Sequence, residues 1–199
     1  MQTHTITTYD FNELTAAAKQ TALNEVRDFN VNDSDWSEQA IEDAKYLGAM
    51  IGITIDKVLF SGFSSQGDGA CFLGSYDYVK GGTSRLKKLG APKDLELHAI
   101  ADRLLEIQRS NRYSVSAQIS DHTTNYYHEN TVWIDVQGCA HEDDDDNTRK
   151  ALRDFMRWIY KSLENEYDYL RKDAQVEEAI GANDYQFRED GKIYSCNGS

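Results

Sequence analysis

The longest periodic signal in this chain lies between residues 148 and 173. There Leu152, Phe155, Met156, Ile159, Leu163, Tyr167 and Leu170 recur at intervals of three and four. Such spacing sets one apolar stripe on a helix for about five turns. A stripe of that length needs cover, so the rest of the chain has to supply a large apolar surface to a principal packing helix over 148–173.

Strand-like runs provide it. Residues 53–60 read as a strand in which Lys57 breaks the alternation, which predicts a bulge or an edge. Residues 70–78 form a second apolar run. Tyr113, Val115, Ala117 and Ile119 alternate with polar neighbours, and Val132, Ile134 and Val136 answer them. These two runs predict an antiparallel hairpin with one wet face. Residues 3–9, rich in threonine, suggest a short edge strand.

Helical spacing appears four more times. Thr15 caps a helix with Ala18, Ala22, Val26 and Phe29 on its buried side. Asp33 or Ser34 caps a second, with Trp36, Ala40, Ile41, Ala44 and Leu47 on one face and Gly48 at its end. These two are expected as an antiparallel pair laid on a sheet. Ser84–Leu89 is a short basic turn. Residues 94–109 form a further helix, with Leu95, Ile100, Leu104 and Leu105 toward the core and Leu97, Ala101 and Ile107 widening the stripe. A short helix over 175–180 and a hairpin turn at Asp190-Gly191 close the chain. With 199 residues, one proline (Pro92) and no repeat, the expectation is one α+β domain over residues 1–199. It would hold an antiparallel sheet of four to six strands with helices packed on one face.

Charge narrows the partner. The net charge is −13. Residues 1–120 carry 16 acids and 12 bases, and residues 121–199 carry 18 acids and 9 bases, so the surplus is concentrated in the later part. Free nucleic acid and anionic membrane are poor partners for such a surface, and a protein with a basic surface is the expected one. Cys71, Cys139 and Cys196 form no C-x-x-C pair, which favours free thiols and a reducing compartment. No basic-then-apolar leader and no long apolar run is visible, so a cytoplasmic protein is expected. The sequence implies no cofactor and no metal set, and it leaves the oligomeric state open.

Three stretches hold candidate site residues. Residues 61–77, with Gly62, Gly67 and Gly69, display Ser65, Gln66 and Asp68. They contain no lysine and lead into a strand, which excludes a phosphate-cradling loop. A structural turn and a ligand contact both stay open here. The loop 120–130 carries His122, Tyr126, Tyr127, His128 and Glu129. Its histidines match no common zinc spacing. The tyrosines suit partner contact, and His128 suits an acid or base role beside the glycine-rich loop. Glu142, Asp143, Asp144, Asp145 and Asp146 form an acidic run whose charge density resembles that of a nucleic-acid backbone. No catalytic set is recognisable.

The stretch Phe60-Ser-Gly-Phe-Ser-Ser-Gln-Gly-Asp-Gly-Ala-Cys-Phe, together with Tyr127-His128-Glu129, resembles a family of small phage and mobile-element proteins labelled antitoxin-like. The resemblance runs from Leu14 to the 183–187 segment. It implies a setting in mobile DNA, where small acidic proteins block nucleic-acid enzymes such as restriction or CRISPR complexes. The leading expectation is therefore a non-enzymatic acidic inhibitor on a basic surface of a host defence protein. The alternative is a small-molecule binder or enzyme built on the 61–77 loop with His128.

Overall fold

The computed structural model describes residues 7–121 and 126–194. Its elements run β1 (Tyr9–Asp10), α1 (Ala16–Val26), α2 (Glu38–Met50), β2 (Ile53–Phe60), β3 (Ala70–Asp77), α3 (Gly82–Arg85), α4 (Leu95–Ser110), β4 (Ser116–Asp121), β5 (Val132–Gln137), α5 (Glu142–Leu170), α6 (Asp173–Ala182) and β6 (Gln186–Phe187). The fold is α+β. Four strands form an antiparallel sheet in the order β2-β3-β4-β5, and β1 pairs with β6 in a separate two-stranded sheet. Two compact units emerge, one from Glu38–Glu164 and one from the described residues of Met1–Ser37 and Asn165–Ser199.

In the first unit the bulge expected at Lys57 is present. The β2–β3 register shifts between Ile55 and Lys57, leaving Asp56 as the extra residue. Ile119 pairs with Ile134 and Ala117 with Val136, so the apolar residues of the β4–β5 hairpin share one face. That face and the buried side of α5 make the core. Phe72 of β3 meets Phe155 edge-on at 6.0 Å, and Phe155 stacks on Trp158 at 5.5 Å. The stripe of α4 is Leu97, Ile100, Ala101, Leu104 and Ile107, all buried.

Leu95, expected in that stripe, stands 77% exposed at the helix start. Asp94 sets the start, because its Oδ1 accepts from Leu97 N at 2.9 Å and its Oδ2 from Trp158 Nε1 at 2.7 Å. Gly48 does not end α2. It lies inside the helix as a notch where a Cβ would come within 3.2 Å of Phe155 Cζ. Tyr113 is not part of β4 either. Arg112 and Tyr113 both adopt positive φ, and the strand begins at Ser116.

The link between α4 and β4 is a side chain. Buried Gln108 accepts from Val115 N at 3.2 Å through Oε1, and its Nε2 donates to Val115 O at 2.6 Å and Tyr76 Oη at 3.2 Å. The amide thus stands in for a missing ladder partner. Burial pushes the Tyr76 hydroxyl up to about 12, the Gln108 bond opposing this only in part. A phenol protonated more firmly when folded contributes stability that is whole below its ordinary range near 10 and is lost as pH rises toward 12. Wild type should therefore lose stability by about 1.4 kcal/mol per pH unit relative to Tyr76→Phe in that window. Urea unfolding of both proteins from pH 9 to 11.5 checks it, and parallel curves would refute it.

The second unit buries Phe11, Leu14, Ala18, Ala22, Leu23, Val26, Val176, Ile180 and Phe187 together. Thr15 caps α1 as expected, its Oγ1 accepting from Ala18 N at 3.3 Å. The small residues Ala18 and Ala22 of α1 pack with Val176 and Ile180 of α6. The Asp190-Gly191 turn is present: Gly191 has φ 86° and Arg188 N donates to Lys192 O at 2.8 Å. Residues 3–6 of the strand expected over 3–9 lie outside the described residues; of residues 7–9, Tyr9 is paired, with Phe187.

Candidate functional site

The glycine-rich loop closes on itself. Ser61 N donates to Gly69 O at 3.1 Å, extending the β2–β3 ladder by one step. Asp68 Oδ2 accepts from Ser64 N at 2.9 Å and from Ser65 N at 2.6 Å. Its carboxylate therefore serves as an internal cap for the turn. Ser65 and Gln66 stand exposed at the tip, and Gly67 takes φ 98° there.

This loop and the one after β4 meet. Ser61 Oγ donates to Tyr127 O at 3.0 Å. A Cβ on Gly69 would lie 2.5 Å from His128 Cβ, so only glycine admits the second loop at this distance. His128 is fixed locally: its N donates to Thr131 Oγ1 at 3.1 Å and its Nδ1 accepts from Asn130 N at 3.2 Å. Thr131 Oγ1 also lies 3.8 Å from the Sγ of buried Cys71, whose thiol burial pushes up. The buried thiol is a weak nucleophile for that reason. Phe63 stacks on Tyr160 at 5.4 Å, and Tyr160 Oη donates to Gly62 O at 3.1 Å. Asp68 and His128 thus share a neighbourhood, each already engaged by backbone. Tyr126 is 65% exposed and Tyr127 is half-buried. His122 lies outside the described residues, and among those residues no group of three or more His, Cys, Asp or Glu gathers as a metal set.

The acidic run belongs to α5 rather than preceding it, because carboxylates suit a helix N-terminus. At 3.6 residues per turn, five consecutive side chains fan around the whole axis. Glu142, Asp143 and Asp146 are exposed, whereas Asp144 and Asp145 turn partly inward. Asp144 Oδ2 accepts from Asn111 Nδ2 at 2.7 Å and Ser110 Oγ at 3.1 Å. Asp145 pairs with Arg149 at 3.0 Å. The run is therefore partly structural, and three of its members face solvent.

Two further features carry no obvious mark in a hydrophobic reading. Arg149, Arg153 and Arg157 recur every fourth residue on α5, a basic ridge visible from spacing alone. Arg149 Nε donates to Ile134 O at 3.0 Å, and Arg157 pairs with Glu129 at 3.0 Å and with Asp154. In the second unit a groove of about 540 Å³ is lined by Asp33, Asp35, Glu166 and Glu178 around Phe29 and Trp36, with no basic residue in its lining. Trp36 leans on Tyr167 at 5.7 Å. That unit carries 14 acids against 6 bases, and the sheet unit 20 against 15. These carboxylates are scattered through the sequence, so only the fold brings them together.

No helix among the described residues is long and apolar enough to cross a membrane. No curated protein and no solved structure matches the chain. One family model does match, over residues 36–173, which takes in the whole sheet unit and little of the other. The chain belongs to that family, a domain of unknown function designated DUF8835.

Proposed function

We propose that this is a non-enzymatic acidic binding protein that occupies a basic, nucleic-acid-binding surface of another protein. In the setting implied by the phage and mobile-element resemblance, the partner is a restriction or CRISPR complex or a toxin. The observation that carries this reading is the groove of Asp33, Asp35, Glu166 and Glu178 around two aromatic rings. Carboxylates neutralise an arginine or lysine head, while Trp36 and Phe29 accept its stem and charge. Exposed Glu142, Asp143 and Asp146 add a second acidic patch on the sheet unit, and Tyr126 and Tyr127 supply contact area.

Competition measures this directly. Added to a fluorescent duplex bound by a restriction or CRISPR effector, the protein should displace the duplex. Its apparent affinity should fall at least about tenfold between about 50 and about 300 mM salt. The quadruple variant D33N/D35N/E166Q/E178Q should lose about as much again at low salt. Displacement insensitive to both salt and the variant would overturn the reading, as would no displacement.

A further inference from the structure

Every residue from Asn130 to Ile134 lines one groove of about 490 Å³, with Arg149 and Arg153 of α5 on its other side. Of these, Asn130 and Thr131 belong to the turn before β5, and Val132, Trp133 and Ile134 are consecutive strand residues. Successive strand side chains point to opposite faces of a sheet, so a groove lined by three in a row follows the strand's edge. Among the described residues β5 is the last strand of the sheet, with β4 on one side only. The Ile134 carbonyl, met by Arg149 Nε, marks the free side. In an antiparallel ladder the main-chain groups of alternate residues point the same way, so Val132 and Val136 share that edge.

The ridge beside the edge is unevenly neutralised. Arg149 has Asp145 and Asp146, and Arg157 has Glu129 and Asp154. Between them, Arg153 Nε is buried without a hydrogen-bond partner. A guanidinium stays charged at any working pH, and a buried donor without an acceptor is a cost that an incoming oxyanion removes. Its planar fork matches a carboxylate with two parallel bonds.

Beside the Ile134 carbonyl, which Arg149 Nε already meets, this strand edge offers the main-chain groups of Val132 and Val136 to an extended backbone, and a guanidinium next to it takes an acidic side chain. We infer that this groove binds an extended acidic peptide segment, added as a strand along β5 with a Glu or Asp carboxylate on Arg153. The ladder supplies affinity and the ion pair supplies selectivity. The site is separate from the acidic groove described above and takes a partner of opposite charge, so either assignment can fail without the other. Because the whole chain is acidic, long-range steering does not help this ligand, and added salt should not weaken its binding steeply.

An array of short N-acetylated peptide amides tests it, with each position varied among Val, Thr, Tyr, Gln and Glu and the full chain as probe. Glu should be preferred over Gln by about fivefold or more at one position. Arg153→Gln should abolish the preference and Arg153→Lys should keep part of it. The best peptide should shift the backbone amides of Val132 and Val136 in nitrogen–proton spectra. No bound peptide, or no Glu preference with the wild-type chain, overturns the inference without recourse to a variant. Inorganic phosphate or acetate alone perturbing the Arg153 Nε–H as strongly as the best peptide would make this a small-oxyanion site and overturn the peptide assignment.

Discussion

Phe155→Ala lowers the unfolding free energy by about 3–5 kcal/mol, the range for deleting a large buried ring whose site cannot collapse. Phe155 is 0% exposed. It touches three elements: Phe72 of β3 edge-on, Trp158 of its own helix face to face, and the Gly48 notch of α2. A strand, a helix and a helix cannot all close on the space that the ring leaves. Phe155→Leu, which fills most of that volume, should cost clearly less. The notch gives a sharper test. Alanine is a better helix former than glycine by about 1 kcal/mol, but its Cβ at position 48 would press on the ring. Gly48→Ala should therefore be more favourable in the Phe155→Ala background than in wild type, by about 1 kcal/mol of coupling. Urea unfolding of the four proteins measures both quantities. Independence of the two sites would mean that they do not touch.

The same pair shows what a sequence carries. Phe155 is legible because helical periodicity repeats over many residues, and the buried stripe of α5 contains it as expected. Gly48 is legible as punctuation only. A glycine near the end of an apolar pattern reads as a terminator, whereas here it is a packing notch whose partner lies more than a hundred positions away. Leu95 fails for a local reason: at the first helical position after the Asp94 cap, an apolar side chain is not yet turned to the core.

The candidate residues follow the same rule. The glycine-rich loop is recognisable by composition, and its internal closure by Asp68 fits the turn reading. Its meeting with His128 across Gly69 joins loops that no local spacing connects. The acidic run is visible as charge, but a linear count treats five neighbours as one surface, and helical geometry spreads them. Arg149, Arg153 and Arg157 are legible as a four-residue spacing. That Arg153 Nε lacks a partner among the described residues, while the other two arginines have theirs from β5, the preceding loop and α5, is a property of the fold alone.

Asn111 decides how the acidic run is held. It is 4% exposed. Its Nδ2 donates to Ile107 O at 2.8 Å and Asp144 Oδ2 at 2.7 Å, and its Oδ1 accepts from Ala140 N at 2.6 Å. One amide thus ties the end of α4, the turn after β5 and the first turn of α5. Asn111→Ala removes these bonds, together with the one from Nδ2 to Ser110 Oγ at 3.0 Å, and leaves the Ala140 donor unpaired, so stability should fall by about 2–4 kcal/mol. Asn111→Asp keeps the shape but sets a second carboxylate against Asp144. Two charged carboxylates at hydrogen-bond distance repel, and protonation of either relieves the repulsion. The loss in Asn111→Asp should therefore deepen as pH rises from about 4 to about 7, and more steeply than the loss in Asn111→Ala, which adds no charge. Chemical unfolding across this range separates them. Parallel pH profiles for the two variants would show that the Asp144 carboxylate does not face this side chain, and the account of the run as partly structural would fall with it.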